Sequence, residues 1–287
     1  MAISLYPADE VDFKAFIHAF NAAYHDYYVP IVLNQTSLRA LIRRDSIDLS
    51  ASVAAVDGDR VVGTSLLAIR GLQGWIGGVG VVPAYRRQGI ARQMMQYLLD
   101  IGRQRQLAKI RLEVVERNAA AYALYQKLGF VVQRRLLMLE RPPTRVTPNE
   151  DYSVSSCNTF EALQYYDVFH VQPNPWQRSS QALHDLAANL TGWLVAHKTM
   201  SEMVVAYAIG WYTDDRAHFL DVASNPDFSQ QAEAIAALFA SIHHDLPGAT
   251  GHIVNLAEDN IAQVPLQALG YRETLAQYEM LYSLTHQ

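Results

Sequence analysis

Three marks of backbone punctuation recur in this chain at almost one offset. Pro83 is matched by Pro226, 143 residues on, Asn118 by Asn260 at 142, and Gly129 by Gly270 at 141. Each belongs where the backbone is restricted: proline stops a strand, asparagine caps a helix, and glycine closes one. Their return in the same order argues for an internal duplication of one α/β unit. A length of 287 residues accommodates two such units. Between them runs Arg-Pro-Pro-Thr-Arg-Val-Thr-Pro-Asn, from Arg141 to Asn149, polar, aperiodic and rich in proline. It reads as a linker over residues 142–150, separating a domain at 1–141 from a second at 151–287.

The pattern in the first half predicts a helix after Asp9 as N-cap, with Phe13, Phe16, Ile17 and Phe20 on one face. Strands follow at Ser52–Val56 and Val61–Ile69 around an Asp57-Gly58 turn, and at Trp75–Val82. A helix from Gly89 carries Ile90, Met94, Leu98 and Ile101 inward. The strand Lys109–Val115, the helix Asn118–Leu128 and two short strands near Val131 and Leu136–Leu139 complete the unit. The second half repeats this order, with one helix at Thr159–Phe169 and another at Gln230–His243. Its strands fall at Gly192–His197, Met203–Tyr212, His218–Ala223, His252–Leu256 and Tyr278–Tyr282. The fold class is therefore α/β.

The segment Val79-Gly80-Val81-Val82-Pro83-Ala84-Tyr85-Arg86-Arg87-Gln88-Gly89-Ile90-Ala91-Arg92 ends a strand, turns through basic residues and starts an amphipathic helix. Amides at such a helix start are unpaired and carry the positive end of the dipole, which suits a phosphate. Gly89 and Ala91 allow close approach, and Arg86, Arg87 and Arg92 add charge. The alternative is an ordinary strand-to-helix turn with solvated arginines. A second segment, Arg111 to Phe130, joins a strand to a capped helix and contains Asn118, Ala121, Leu124, Tyr125, Gly129 and Phe130 at fixed spacing.

With both segments in hand, the chain resembles the GNAT superfamily of acetyl-CoA-dependent N-acetyltransferases. Its R/Q-x-x-G-x-G/A signature is matched by Arg86, Gly89 and Ala91, and its N-x-x-A-x-x-L-Y-x-x-x-G-F signature by the residues of the second segment. The resemblance covers about Ile3 to Arg141 directly and implies two tandem domains, each with a mixed, mostly antiparallel, twisted sheet. It implies that the fourth and fifth strands splay and admit the pantetheine arm of acetyl-CoA, paired with the backbone of Val79, Gly80 and Val81. Arg86, Arg87, Gln88, Gly89, Ile90, Ala91 and Arg92 would hold the pyrophosphate, and Asn118 would bind near the pantetheine. The Val81 amide would polarise the thioester carbonyl. Tyr125 would protonate the departing thiolate, with core packing as its alternative role. Glu113 would take the proton of the amine, directly or through water, unless it only pairs with Arg111 on the same face. Glu116 is the substitute. Tyr24, Asp26, Tyr27 and Tyr28 lie where the family's acceptor cleft is lined.

At the matching offset the second half has Ser229 for Arg86, Ala232 for Gly89, Leu266 for Tyr125 and Asn255 for Glu113. Its turn, Asp227-Phe228-Ser229-Gln230-Gln231, has neither a base nor a glycine. It is expected to be a degenerate copy that packs on the first domain and shapes the acceptor side. Other features carry less. Trp75, Trp193 and Trp211 are expected in the core, and His243-His244 is expected to complement a helix dipole, with no third ligand for a metal. Gly77-Gly78-Val79-Gly80 is no dinucleotide fingerprint, because its glycines lie within a strand.

A formal charge of −5, from 23 basic and 28 acidic residues, lacks the basic footprint of a nucleic-acid binder. No apolar run is long enough to span a bilayer, the N-terminus has no signal pattern, and a lone Cys157 excludes internal disulfides. The reading is a cytoplasmic, metal-free N-acetyltransferase, preferably a monomer. Its acceptor is a small-molecule or peptide amine, which attacks acetyl-CoA directly in a ternary complex. A similar reaction with a longer acyl-CoA, and a sensor that binds acyl-CoA without turnover, are the alternatives. An intact Tyr125 and Glu113 count against the sensor.

Overall fold

The computed structural model describes residues 3–200 and 203–284. In chain order the first half contains β1 (Ser4–Pro7), α1 (Phe13–Tyr24), α2 (Gln35–Asp45), β2 (Val53–Asp57), β3 (Arg60–Arg70) and β4 (Gln73–Val81). Then come α3 (Ile90–Gln104), β5 (Lys109–Val115), α4 (Ala119–Lys127) and β6 (Val131–Arg141). The second half contains β7 (Tyr152–Asn158), α5 (Thr159–Leu163), α6 (Tyr166–Phe169), α7 (Ser180–Leu186), β8 (Thr191–His197), β9 (Val204–Tyr212) and β10 (Arg216–Ser224). It ends with α8 (Gln231–Asp245), β11 (Thr250–Ala257), α9 (Gln263–Ala268) and β12 (Arg272–Ser283).

The chain forms two compact units, but not by a single cut at the proline-rich stretch. Unit 1 is Met1–Gln133 together with Tyr278–Gln287, and unit 2 is Arg134–Gln277. The boundary expected at residue 141 therefore falls within β6, and the chain's last strand ends in unit 1. The reason is burial. Met280 is fully buried in the unit 1 core among Met94, Leu98, Ile110 and Leu112, with Tyr278 and Tyr282 against the same cluster. Glu279 pairs with Arg111 at 3.3 Å, and the Leu284 amide donates to the Ala108 carbonyl at 2.9 Å. A local reading of strand patterns cannot see which sheet a distant strand joins.

In unit 1 the strands run β1-β2-β3-β4-β5 and are closed by the end of β12. Pairs β1–β2, β2–β3 and β3–β4 are antiparallel, and β4–β5 is parallel. Helix α3 covers one face through Ile90, Met94, Met95 and Leu98. On the other, α1 lies so close to β4 that a Cβ on Gly80 would stand 2.8 Å from the Ala23 Cβ. Asp12, not Asp9, caps α1, its Oδ1 accepting from the Ala15 amide at 2.8 Å. Asn34 and Ser37 form a capping box for α2, a helix too polar to stand out by periodicity.

Unit 2 repeats the scheme, with strands in the order β6-β11-β10-β9-β8-β7 and α8 on the core. The single helix expected at Thr159–Phe169 is two short ones, α5 and α6, and α7 after the Ser179 cap was not anticipated. The two short strands expected near Val131 and Leu136 are one, β6. His243 does not complement the α8 dipole as a cation. It is buried against the Tyr271 hydroxyl at 2.8 Å, and burial, aided by Arg141, lowers its pKa to about 3. Trp193 is core as expected, whereas Trp211 is half-buried and stacks on His218 at 4.2 Å.

Candidate active site

The site is built where β4 and β5 part. Their parallel register runs from Gln73↔Lys109 to Ile76↔Leu112 and stops there. Beyond it, Gly77–Val81 and Glu113–Val115 diverge. A bulge bends β4 away: opposite β3 the register slips between Thr64↔Gly80 and Leu66↔Gly77, with Gly78 at a φ of 65°. A side chain at Gly78 would be strained there and would press on Phe20, 3.0 Å from its Cβ position.

Hydrogen-bond alternation decides which β4 groups face this opening. The Val82 amide donates to the Val62 carbonyl at 2.9 Å, so Val82 and Val62 are a hydrogen-bonded antiparallel pair. The next pair, Val81 with Gly63, is then non-hydrogen-bonded, and the Val81 N–H points away from β3 into the opening. Gly80 falls in the following pair, with its backbone turned to Thr64. Its part is to admit α1, not to line the gap. The Val79 carbonyl accepts from the Tyr24 hydroxyl at 3.4 Å.

The turn after β4 carries two residues in left-handed conformation, Arg87 at a φ of 66° and Gly89 at 80°. For Arg87 this is strained, and strain of that kind persists where a loop must aim its amides. Gly89 is the N-cap of α3 and has no side chain to satisfy the Ile90, Ala91 and Arg92 amides. A Cβ on Gly89 would meet nothing within 4 Å, so the space before the helix is open. Arg87 and Arg92 are exposed beside it. Gln88 reaches back to the Ala84 carbonyl at 3.5 Å. An anion fits this cradle by amide geometry, dipole and charge together. Arg86 serves differently. Its guanidinium holds Asp26 through two 2.7 Å contacts, and it donates to the Ala23 and Val81 carbonyls. That clamp ties the end of α1 to the end of β4, and the Arg86 hydrogen bonds hold the Asp26 carboxyl down at about 2. Asp26, read from sequence as a partner for a cationic amine, is thus engaged by Arg86.

Aromatic residues wall the opening. Phe20 stacks on Tyr24 with centroids 4.5 Å apart, Tyr24 meets Tyr27 edge-on at 4.8 Å, and Tyr27 meets Tyr28 at 5.5 Å. The Tyr28 hydroxyl donates to the Arg117 carbonyl at 3.0 Å, just before α4. Asn118 caps α4 by accepting from the Ala121 amide at 3.2 Å. Its side chain also lies beside the Tyr27 phenol, where burial raises the Tyr27 pKa and Asn118 pulls it back. Tyr125 is buried on α4, and burial, followed by the neighbouring Tyr27, raises its pKa well above the usual phenol value. Tyr24 is raised by burial first and then by Tyr27 and Tyr125, so three phenols converge here.

Glu113 sits on the diverging part of β5, and its Oε2 accepts from the Trp75 indole N–H at 2.6 Å. Arg111 pairs with Glu279, and Glu116 accepts from the Tyr278 hydroxyl at 2.7 Å. Trp75 was expected only as core. It is buried, but it also aims the carboxylate, and its ring lies over Gly77, whose Cβ would stand 2.2 Å from the indole. One signal could have found it: a buried indole needs an acceptor for its N–H, and Glu113 faces the same opening.

In unit 2 the corresponding helix start is unlike this one. Phe228 is buried in the core, Glu233 occupies the first turn of α8, and Leu266 is fully buried at the offset of Tyr125. Asn255, at the offset of Glu113, is held by Gln277 at 2.5 Å and Gln177 at 3.2 Å. Acetyl-CoA is therefore expected to bind once per chain, and Gly89→Val to abolish that binding by filling the anion cradle. Calorimetry that finds two equivalent sites, or undiminished affinity in the variant, contradicts this.

Comparison with known proteins agrees with the geometry. Residues 13–130 match the model of the acetyltransferase (GNAT) family. The chain is 38% identical over 90 residues to N-alpha-acetyltransferase 30 of Schizosaccharomyces pombe, a match covering 30% of this chain and 60% of that protein. It is 46% identical over 52 residues to the [Ribosomal protein bS18]-alanine N-acetyltransferase of Escherichia coli K12, covering 18% of this chain and 35% of the relative. Against a solved tandem GNAT protein from the clavulanic acid biosynthesis pathway it aligns over 100% of both chains, with a TM-score of 0.71 at 13% identity. The fold is thus shared across the whole length, while the family match lies in the half that holds the opening between β4 and β5. Over residues 13–130, which hold that opening, the chain matches the acetyltransferase (GNAT) family.

Proposed function

We propose that unit 1 transfers the acetyl group of acetyl-CoA to an amine, with the acceptor and the thioester held together. What supports the reading is an open anion cradle at Gly89, a Val81 amide turned from β3, a carboxylate at Glu113 on the diverging part of β5, and a buried phenol, Tyr125, beside Tyr27. The thioester supplies an activated acyl carbon. The chain's residues do the rest. The amides from Gln88 to Arg92, with Arg87 and Arg92, bind the pyrophosphate, and the Val81 N–H donates to the carbonyl oxygen as charge grows on it. Glu113, aimed by Trp75, accepts the proton of the attacking amine directly or through water. Tyr125 gives its proton to sulfur as the C–S bond breaks and the C–N bond forms.

Relatives named as an N-alpha-acetyltransferase and as a ribosomal-protein alanine N-acetyltransferase favour an α-amine on a peptide. The tyrosine wall suits such a group, since aromatic faces attract a cationic amine before it loses its proton. A cytoplasmic monomer working without a metal belongs to the same proposal. Among the described residues, no helix is long and apolar enough to cross a membrane. Thiol release from acetyl-CoA, measured with alanine-initiated peptides and with polyamines, tests it. Release stimulated by an amine is expected. Saturable acetyl-CoA binding with no release above solvent hydrolysis for any amine would instead make the protein a sensor.

A further inference from the structure

Unit 2 keeps the counterpart of the unit 1 opening and one of its donors. The parallel register of β10 and β11 runs from Arg216↔Thr250 to Phe219↔Ile253 and stops, and β10 bulges between Phe219 and Asp221. The Asn225 amide donates to the Val205 carbonyl at 2.8 Å, as the Val82 amide does to Val62 at the 143-residue offset. Ser224 with Ala206 is then a non-hydrogen-bonded pair, and the Ser224 N–H points away from β9. Ser224 holds the place that Val81 holds in unit 1, and it lines a cavity of about 220 Å³.

The side chains around this amide differ from those of unit 1. The same offset places Asp221 where unit 1 has Gly78, and His170 where it has Tyr27. Asp221 is fully buried. Its Oδ1 accepts from Asn174 at 3.0 Å and Arg178 at 3.2 Å, and its Oδ2 from Tyr207 at 2.7 Å and His170 Nε2 at 2.9 Å. Burial opposes the charge, yet His170 and Arg178, with the Tyr207 hydroxyl, hold this carboxyl at about 2. A carboxylate so held fixes the imidazole above it. The His170 side chain is nine-tenths buried and lines the cavity. Its contacts with Asp221, Asn174 and Tyr207 are all made by Nε2, which leaves Nδ1 without a partner among the described residues.

The charges of the lining point to the ligand. Arg134 lines the same cavity, and its guanidinium, with one N–H on the Pro173 carbonyl at 2.8 Å, brings a positive charge. Arg178 offsets Asp221 beneath the imidazole. Asp259 is exposed, where water and salt screen its charge. The walls are therefore neutral to positive in either protonation state of His170. Phe169 and Val222 add buried apolar surface, and Val171 and Ile261 are exposed apolar residues. We infer that the β10–β11 cavity of unit 2 binds a small carboxylate carrying an apolar group, which accepts from the Ser224 N–H, the Arg134 guanidinium and His170 Nδ1. Between that carboxylate and Asp221 the imidazole holds a proton on each nitrogen, and a neutral ring takes one up on binding. The charged and titratable groups around the ring are Asp221, Arg178, Tyr207 and Tyr166 on its inner side, with Arg134 and Asp259 toward the cavity. The site does not rest on the acetyl-transfer reading of unit 1.

Phenylacetate, with about ten non-hydrogen atoms, is a suitable probe, and a millimolar or tighter Kd is the order expected for that size. Spectra of the intact chain labelled with ¹⁵N-histidine report His170 directly, the His170→Gln variant assigning its signal among the ten histidines. The His170 Nδ1 resonance should shift saturably with phenylacetate, end in the protonated range, and stay in place with phenethylamine. Phenylacetamide, of the same shape without the charge, should bind about tenfold more weakly or worse. Arg134→Gln should weaken phenylacetate by about tenfold, as the loss of one charge-assisted contact does, and Asp259→Asn should not weaken it. A carboxylate bound at the unit 1 cradle would leave the His170 signal unmoved, so the two units are told apart. No shift of His170, an equal response to the amine or the amide, unchanged affinity in Arg134→Gln, or weaker binding in Asp259→Asn overturns the site.

Discussion

A chain ending after Glu140 is expected to give no soluble, cooperatively folding domain, although it holds every residue of the opening between β4 and β5. Unit 1 takes its last strand from the C-terminus. The truncation removes Met280, Tyr278 and Tyr282 from the core around Leu112 and takes Glu279 from Arg111. Burial of such side chains stabilises by about 1.5–3 kcal/mol each. Their sum is comparable with the roughly 5–15 kcal/mol that holds a whole domain together. The loss also turns β5 into an open edge, a template for aggregation. Co-expression of residues 141–287 should restore solubility by returning the strand. A fragment of 1–140 that melts cooperatively near the temperature of the intact chain, and binds acetyl-CoA as tightly, would show that β12 is dispensable.

Replacing Tyr125 by Phe is expected to lower turnover by roughly 10²–10⁴-fold, the usual contribution of a general acid, with little change in acetyl-CoA affinity. Phenylalanine keeps the ring that lies 6.1 Å from Phe130, so packing is preserved. The proton is what goes. Burial raises the phenol's pKa in the folded state above its unfolded value of about 10. Whatever stability the group contributes is therefore fully present at neutral pH and is lost only as pH climbs through the raised value. Tyr125 stays protonated across the range in which an amine assay is run, and any change in rate there belongs to another group. The test is kcat measured beside calorimetric acetyl-CoA affinity with a productive acceptor. Unchanged turnover returns Tyr125 to a packing role.

The opening between β4 and β5 was legible because its parts are local. The turn from Arg86 to Arg92 reads as a strand end, a glycine and a helix start, and the structure has Gly89 in the left-handed region at the head of α3. Asn118 reads as a cap and is one. What escaped were relations between distant residues. Asp26 and Arg86 lie 60 positions apart, and nothing in either neighbourhood announces their ion pair. Trp75 reads as an apolar strand residue, and only the pairing of β4 with β5 brings its N–H to Glu113. In unit 2 the decay of the anion cradle was visible in its composition. The contact of His170 with the buried Asp221, 2.9 Å, was not, because the groups around that carboxylate come from three separate segments, residues 170–178, Tyr207 and Asp221 itself.

From residue order alone came the duplication, the order of strands and helices, and the half that carries an anion cradle. These depend on backbone restriction and on periodicity over a few residues, which proline, glycine, asparagine and apolar spacing encode directly. Which backbone groups face the opening, and which sheet the last strand joins, came only from the tertiary structure. A single bulge at Gly78 turns the Val81 amide inward. The burial of Met280 assigns the end of β12 to unit 1. Both depend on register and packing between segments far apart in sequence, where hydrogen bonds and buried area are shared and no local pattern records the partner.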